Sequence, residues 1–237
     1  MEYVQKVLDK QLNHMTTCVI IPTYNESKTI RELIESINQQ NFKTVVIDDG
    51  SSDRSASIAK EAGAVVLRNE NNLGKGASLI RGFEYAIKNG FDAVITIDGD
   101  GQHQAEDIQY FIRLAEYSDS GLFIGNRMCK VNNMPLMRLA TNKLMSLFIS
   151  HIIQQKIPDT QCGFRLIKKE LLEKLNLSTS KYETESEILI QTSRLGFKIE
   201  SVPIKSIYLQ EKSSINPILD TLRFLRFIIR TLWNIKN

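Results

Sequence analysis

Residues 18–50, CVIIPTYNESKTIRELIESINQQNFKTVVIDDG, contain a strand, a helix and a second strand in the order that sets the architecture. The run Cys18 to Pro22 is short, continuously apolar and closed by proline, which predicts a buried strand. Ser27 follows as a helix cap, and Ile30, Leu33, Ile34 and Ile37 fall at helical spacing on one face. Thr44 to Asp48 then repeats the apolar strand. The alternation continues with helix Arg54 to Ala62, strand Ala64 to Leu67, helix Gly76 to Lys88 and strand Ala93 to Asp98. Strands that are apolar at every position, not at every second one, belong to a parallel sheet covered by helices on both faces. Ligands of such α/β sheets bind beyond the carboxyl ends of the strands.

The second half is less regular. Its pattern predicts strand Leu122 to Gly125, a helix from about Pro135 to Ile153, strand Phe164 to Ile167, helices near Lys169 to Leu175 and Thr184 to Leu195, and strand Ile199 to Ile204. No linker, low-complexity stretch or internal repeat divides the chain, so residues 1–215 are expected to form one domain on one sheet. Residues 216–237 read as a separate amphipathic helix, with Asn216 and Pro217 suited to its start. Asp220, Arg223, Arg226, Arg230 and Asn234 gather on one side of it. Leu222, Leu225, Ile228, Ile229, Leu232, Trp233 and Ile235 fill the other, and Phe227 intrudes on the polar side. A basic face opposite an apolar face with Trp suits the membrane interface; a helix packed on the core or in a dimer is the alternative.

Composition narrows the class. With 237 residues, 42% hydrophobic and 24% charged, the chain has a soluble globular profile and is neither disordered nor collagen-like. A balance of 30 Lys+Arg against 27 Asp+Glu, net +3, is too slight to argue for nucleic acid, so any basic surface is local. Cys18, Cys129 and Cys162 are widely spaced, without a zinc-binding pair, and read as reduced thiols. The first residues carry Glu2 and Asp9 where a secretory leader needs an apolar run. No window offers the roughly 18 uninterrupted apolar residues of a bilayer-spanning helix. The expected location is cytoplasmic, with peripheral membrane contact.

Polar residues cluster at the carboxyl ends of the early strands: Thr23, Tyr24, Asn25 and Glu26 after the first, Asp48, Asp49 and Gly50 after the second, Asp98 and Asp100 after the fourth. Any one of these could cap a helix, as Ser27 and Asp53 could, but three together define a crevice. In residues 95–103, ITIDGDGQH, two carboxylates one residue apart leave a buried strand. Such hard oxygen ligands suit Mg²⁺ or Mn²⁺, with Gln102 and His103 as further ligands or supporting contacts. The segment NLGKGASLIRG meets neither dinucleotide nor P-loop spacing, since Leu79 and Gly76 stand where glycine and Ser/Thr are needed. Lys75, between Gly74 and Gly76, could still line a diphosphate pocket. Glu183, Glu185 and Glu187 are candidate bases or simply an acidic first helical turn. His151 reads as a core or edge histidine.

Taken in order, VIIPTYNE, VVIDDGSSD, NLGKGASLIRGFEYA, TIDGDGQH, GNR, DTQCGFR and VPI…IY…EKSS resemble family 2 glycosyltransferases of the GT-A fold over about residues 17–220. Within that family the chain is similar to polyprenyl-phosphate (dolichol-phosphate) sugar synthases, which move mannose or glucose from a nucleotide sugar such as GDP-mannose or UDP-glucose to a lipid phosphate. The resemblance implies that Pro22, Tyr24, Glu26, Val46 and Asp48 hold the nucleoside, and that Asp98, Gly99, Asp100 and Gln102 hold the metal and diphosphate. Arg127 and Arg138 match arginines that grip the acceptor phosphate, with Asn142 one turn further along. Lys212 and Ser213 are carried over as further acceptor-phosphate contacts, although EKSS replaces the usual GKSK-like segment and Tyr208 stands near the place of an arginine. Asp98, Asp100 and Arg127 would be catalytic, in inverting transfer to an anionic phosphate that needs no base. A saccharide hydroxyl acceptor would instead need Glu185 or Glu187. A silent nucleotide-sugar-binding scaffold is disfavoured by the intact DGDGQ.

Overall fold

The computed structural model describes residues 15–129 and 136–205 together with Arg226, the side chains of residues 136–138 excepted. Lys212, Ser213 and, Arg226 apart, the helix expected over 216–237 lie outside the described residues.

Among the described residues, seven strands form one sheet in the order β3-β2-β1-β4-β6-β5-β7. They are β1 (Thr17–Thr23), β2 (Lys43–Asp48), β3 (Val65–Arg68), β4 (Ala93–Thr96), β5 (Leu122–Asn126), β6 (Arg165–Lys168) and β7 (Ile199–Pro203). Cys18, Val19, Ile20 and Ile21 are all fully buried. Successive strand residues face opposite sides, so both faces of β1 are covered, as its unbroken apolar run requires. The hydrogen-bonded neighbours are parallel except β6, which runs against both β4 and β5. The sheet is therefore mostly parallel, and the second half departs from the alternation of the first for a geometric reason. Thr96, the last residue of β4, pairs with Arg165, the first of β6. The chain re-enters the sheet at the end where β4 stops, which brings residues 159–164 to the carboxyl ends of β4 and β5.

The helices are α1 (Ile30–Asn38), α2 (Ser55–Glu61), α3 (Lys75–Lys88), α4 (Asp107–Tyr117), α5 (Leu136–Ile153), α6 (Lys169–Leu172) and α7 (Glu183–Arg194), with a 3-10 turn at Arg127–Cys129. Ile30, Leu33, Ile34 and Ile37 line the buried face of α1, as their spacing requires. Ser27 does not cap that helix; its N–H donates to Asp53 Oδ2 at 3.2 Å, and α1 begins at Ile30. The sequence pattern had not marked α4, which buries Ile108, Phe111, Ile112 and Ala115. Its Phe111 stacks on Phe164 at 4.6 Å.

Among the described residues, Arg165 is the largest fully buried side chain, and it opens β6. Its Nε donates to Cys162 O at 2.9 Å, Nη1 to Glu185 O at 2.6 Å and Nη2 to Thr160 O at 3.0 Å. One guanidinium thus ties the loop before β6 to the first turn of α7. Replacing Arg165 by Met would leave Cys162 O and Thr160 O without this donor, while Glu185 O keeps its place in the ladder of α7, at about 1 to 3 kcal/mol for each one left unsatisfied. Urea unfolding is expected to show a loss of at least about 2 kcal/mol. An unchanged midpoint would mean that the clamp contributes nothing.

Candidate active site

The strand-end loops are stapled together by short side chains. Asn25, at a left-handed φ of 59°, donates its N–H to Ser51 Oγ at 2.9 Å, and its Oδ1 accepts Ser52 N–H at 2.9 Å. Glu26 N–H donates to Ser55 Oγ at 2.8 Å. From the other side, Thr29 Oγ1 donates to Gly99 O at 2.6 Å, tying the start of α1 to the Asp98–Gly101 turn. Pro22, Tyr24, Glu26, Asp48, Asp98, Gly99 and Asp100 therefore share one end of the sheet. Tyr24 is exposed at the rim, whereas Val46 is fully buried within β2, paired with Ile21 and Val66 beneath the crevice.

Asp49, which the motif reading left without a role, organises the next loop. Its carboxylate accepts from Asn69 Nδ2 at 2.8 Å, Leu73 N–H at 2.9 Å and Gly74 N–H at 2.7 Å. Gly74 sits at φ 103°, a conformation that favours glycine, and hands the chain directly into α3 at Lys75. Lys75 Nζ then lies 2.6 Å from Asp98 Oδ1 and 2.7 Å from Glu185 Oε1. Burial alone would depress the lysine pKa, but the two carboxylates outweigh it and raise it. In return, Asp98 is held below the usual carboxylate range despite its burial, chiefly by Lys75. Gly163 must be glycine for this carboxylate to fit, since a Cβ there would meet Asp98 Oδ2 at 2.5 Å.

Asp100 has the opposite environment. Burial first, and the Asp98 charge second, push it up to about 6, although its Oδ1 accepts Gln102 N–H at 3.0 Å. His103 is buried edge-on to Phe164 at 5.6 Å, and burial pushes it down to about 4, so the imidazole is neutral at pH 7. Arg127 follows β5 and is gripped by Asp159, with Nε at 2.7 Å from Oδ2 and Nη2 at 2.9 Å from Oδ1. Asp159 lies in DTQCGFR but had not been singled out.

Glu187 stands apart from this cluster. Its carboxylate accepts from Ser178 N–H at 3.0 Å, Ser178 Oγ at 2.8 Å, Thr179 N–H at 3.0 Å and Thr179 Oγ1 at 2.6 Å, fastening the preceding loop to α7. Asn142 is buried on α5 one turn before Ser146, whose Oγ accepts Thr160 N–H at 3.0 Å. Arg138 falls in the first turn of α5, and its side chain lies outside the described residues. His151 is exposed on the same helix.

Among the described residues, no three His, Cys, Asp or Glu side chains converge as a closed metal cage. Asp98 and Asp100 instead offer two hard oxygen ligands in one turn. That set fits a cation such as Mg²⁺ or Mn²⁺, which binds one or two carboxylates and completes its shell with water and phosphate oxygens.

A strand-rich α/β sheet with paired acids at its carboxyl edge is the architecture of a GT-A glycosyltransferase. The model of the family described as "Glycosyl transferase family 2" matches residues 18–176, and the chain belongs to that family. It is 31% identical to the UDP-N-acetylglucosamine--dolichyl-phosphate N-acetylglucosaminyltransferase of Methanococcus voltae, over 80% of this chain and 85% of that one. It is 29% identical to the polyprenol monophosphomannose synthase of Mycolicibacterium smegmatis, over 79% and 76%. Glucosyl-3-phosphoglycerate synthase from Mycobacterium tuberculosis, solved with Mn²⁺, UDP and phosphoglyceric acid, superposes with a TM-score of 0.73 at 22% identity, over 98% of this chain and 81% of that one. The chain is thus a family 2 glycosyltransferase resembling dolichyl- and polyprenyl-phosphate sugar transferases. No helix among the described residues is long and apolar enough to cross a membrane.

The Asp100 environment has a measurable cost. Its folded pKa of about 6 exceeds the reference value of 3.8, so ionisation penalises the folded state as pH rises through that interval. The penalty is absent below the reference value and complete above the folded one. In chelator, Asp100→Asn is expected to melt higher than wild type at pH 8 and at the same temperature at pH 4. Equal melting at both pH values would show that the Asp100 charge is already compensated.

Proposed function

We propose that this chain moves a hexose from a nucleotide sugar to a polyprenyl or dolichyl phosphate, with inversion, at the cytoplasmic face of a membrane. The observation that carries this reading is the state of the two candidate bases. Glu185 is ion-paired with Lys75, and Glu187 accepts hydrogen bonds from the loop that precedes α7. An acceptor that is already an anion needs neither of them, whereas a sugar hydroxyl would need a base. The names of the relatives from Methanococcus voltae and Mycolicibacterium smegmatis point to the same acceptor class.

The chain's own residues then have defined tasks. Pro22, Tyr24 and Asp48 surround the nucleoside, and Lys75 approaches the diphosphate from the start of α3. Arg127, oriented by Asp159, directs its guanidinium to the acceptor phosphate, with Asn142 and Arg138 along α5. An acceptor phosphate oxygen attacks the anomeric carbon as the bond to the nucleoside diphosphate oxygen breaks on the opposite side. Bound between Asp98 and Asp100, Mg²⁺ or Mn²⁺ would supply neutralisation of charge on the departing diphosphate. Residues 216–237 would lie on the leaflet that holds the lipid phosphate.

The test incubates the full chain with GDP-mannose, UDP-glucose or UDP-N-acetylglucosamine, undecaprenyl or dolichyl phosphate in anionic liposomes, and Mg²⁺ or Mn²⁺. One donor is expected to yield a lipid-linked sugar, and Asp100→Ala to abolish it. Arg127→Lys, which loses the bidentate fork, should raise the KM for lipid phosphate about 10- to 100-fold, with little change for the donor. A chain ending at residue 216 should stay folded and no longer sediment with the liposomes. Glycosylation of an oligosaccharide but of no lipid would overturn the acceptor; near-wild-type turnover of Asp100→Ala would overturn the metal site.

A further inference from the structure

Asn69 follows directly on β3, its side chain is buried, and both ends of its amide are occupied. Its Nδ2 donates to Asp49 Oδ1 at 2.8 Å, and its Oδ1 accepts from Arg81 Nη1 on α3. The same Nη1 also donates to Arg68 O at 2.8 Å, which holds the guanidinium where β3 ends. An amide between a carboxylate and a guanidinium can point only one way. Turned over, its oxygen would face the acid and its NH2 would face a group that has only donors. Arg81 therefore fixes the direction of Asn69, and Asn69 delivers a donor to Asp49. Asp49 is buried as well, and its two oxygens also take the N–H groups of Leu73 and Gly74. The loop between Asn69 and Gly74 lies against the turn after β2, where a Cβ on Gly50 would meet the Asn71 carbonyl carbon at 2.8 Å and Asn72 N at 3.0 Å. Lys75 comes next and starts α3.

We propose that Asn69 and Arg81 are positioning residues of the donor site, acting through Asp49 to set where the Lys75 ammonium meets the diphosphate. The inference rests on the donor site assigned above and deepens it. Arg81 stands six residues after Lys75 on the same helix, about 9 Å along its axis, so it acts through the loop and not by contact. Arg81, Asn69 and Asp49 run as cation, dipole and anion, and each bond polarises the next. Without the Asn69 donor, the buried Asp49 carboxylate keeps its charge and has to find another partner. The part nearest to yield is the loop that it holds. Leu73 and Gly74 would then be bound by an acid free to swing, and Lys75 would lose its fixed start. A misplacement of about 1 Å at such a group can cost up to about 100-fold.

Amide hydrogen exchange by NMR and calorimetric titration with UDP and GDP, each in Mn²⁺, test this on the full chain. In Arg81→Met the Leu73 and Gly74 amides are expected to exchange at least about tenfold faster than in wild type, while those of Ile20 on β1 and Ile95 on β4 keep their rates. The nucleotide that wild type binds more tightly should bind about tenfold more weakly in the same variant. Arg81→Lys retains a donor for Asn69 and is expected to restore most of both readouts. Asn69→Asp has the shape of the wild-type side chain but sets a second carboxylate against Asp49; it should weaken binding further, and it serves even if the methionine variant does not fold. Unchanged exchange at Leu73 and Gly74 in both Arg81→Met and Asn69→Asp would overturn the relay. Faster exchange with unchanged nucleotide binding would overturn the positioning role and leave the loop a structural element. Binding of neither nucleotide by wild type would overturn the donor site itself, whatever the exchange rates show.

Discussion

The ammonium of Lys75, placed between the carboxylates of Asp98 and Glu185, joins the two halves of the molecule at the point where chemistry is expected. Lys75 begins α3, Asp98 follows β4, and Glu185 belongs to α7, more than eighty residues further on. Three charged groups largely shielded from solvent are most stable as a set, because removing one partner strands the others. The cation also separates the two acids of DGDG electrically. Asp98 is kept ionised, and Asp100 carries the burden of burial and of its neighbour's charge. A divalent ion would relieve that burden, which gives the pair a physical reason to bind one.

Each charged residue of the site is positioned by another that does no chemistry itself. Asp49 folds the loop that delivers Lys75, Asp159 fixes the plane of Arg127, and Arg165 ties the loop carrying Cys162 to the backbone of Glu185. The antiparallel course of β6 makes the last two possible. A parallel strand in that place would enter the sheet from the opposite end and carry Asp159 away from Arg127. Stability and positioning therefore share the same contacts around Arg127 and Glu185.

The first half of the fold was legible in the sequence because β1, β2 and β4 are buried on both faces and read as unbroken apolar runs. The direction of β6 was not, since a four-residue strand carries no mark of which way it runs; only the return of the chain through α5 settles it. The polar segment GQHQAED hides the start of α4, although Ile108, Phe111, Ile112 and Ala115 repeat the spacing of Ile30, Leu33, Ile34 and Ile37 and carry the same helical signal. Among the site residues, Asp98 and Asp100 were readable from their spacing at a strand end. Asp159 was not, because its partner Arg127 lies 32 residues earlier and local pattern says nothing of that pairing. Helix geometry alone separates Glu185 from Glu187. At about 100° per residue, positions two apart on a helix face nearly opposite ways, so one site could not use both.

The pairing across the two halves is measured most directly by a double-mutant cycle on Lys75→Met and Glu185→Gln, followed by urea unfolding in chelator near neutral pH. If Lys75 holds both carboxylates as a set, the double variant should lose less stability than the sum of the single ones, with a coupling of at least about 1 kcal/mol. Additive losses would contradict the account, because the lysine and the glutamate would then be stabilised independently and the site would have no electrostatic link between its halves.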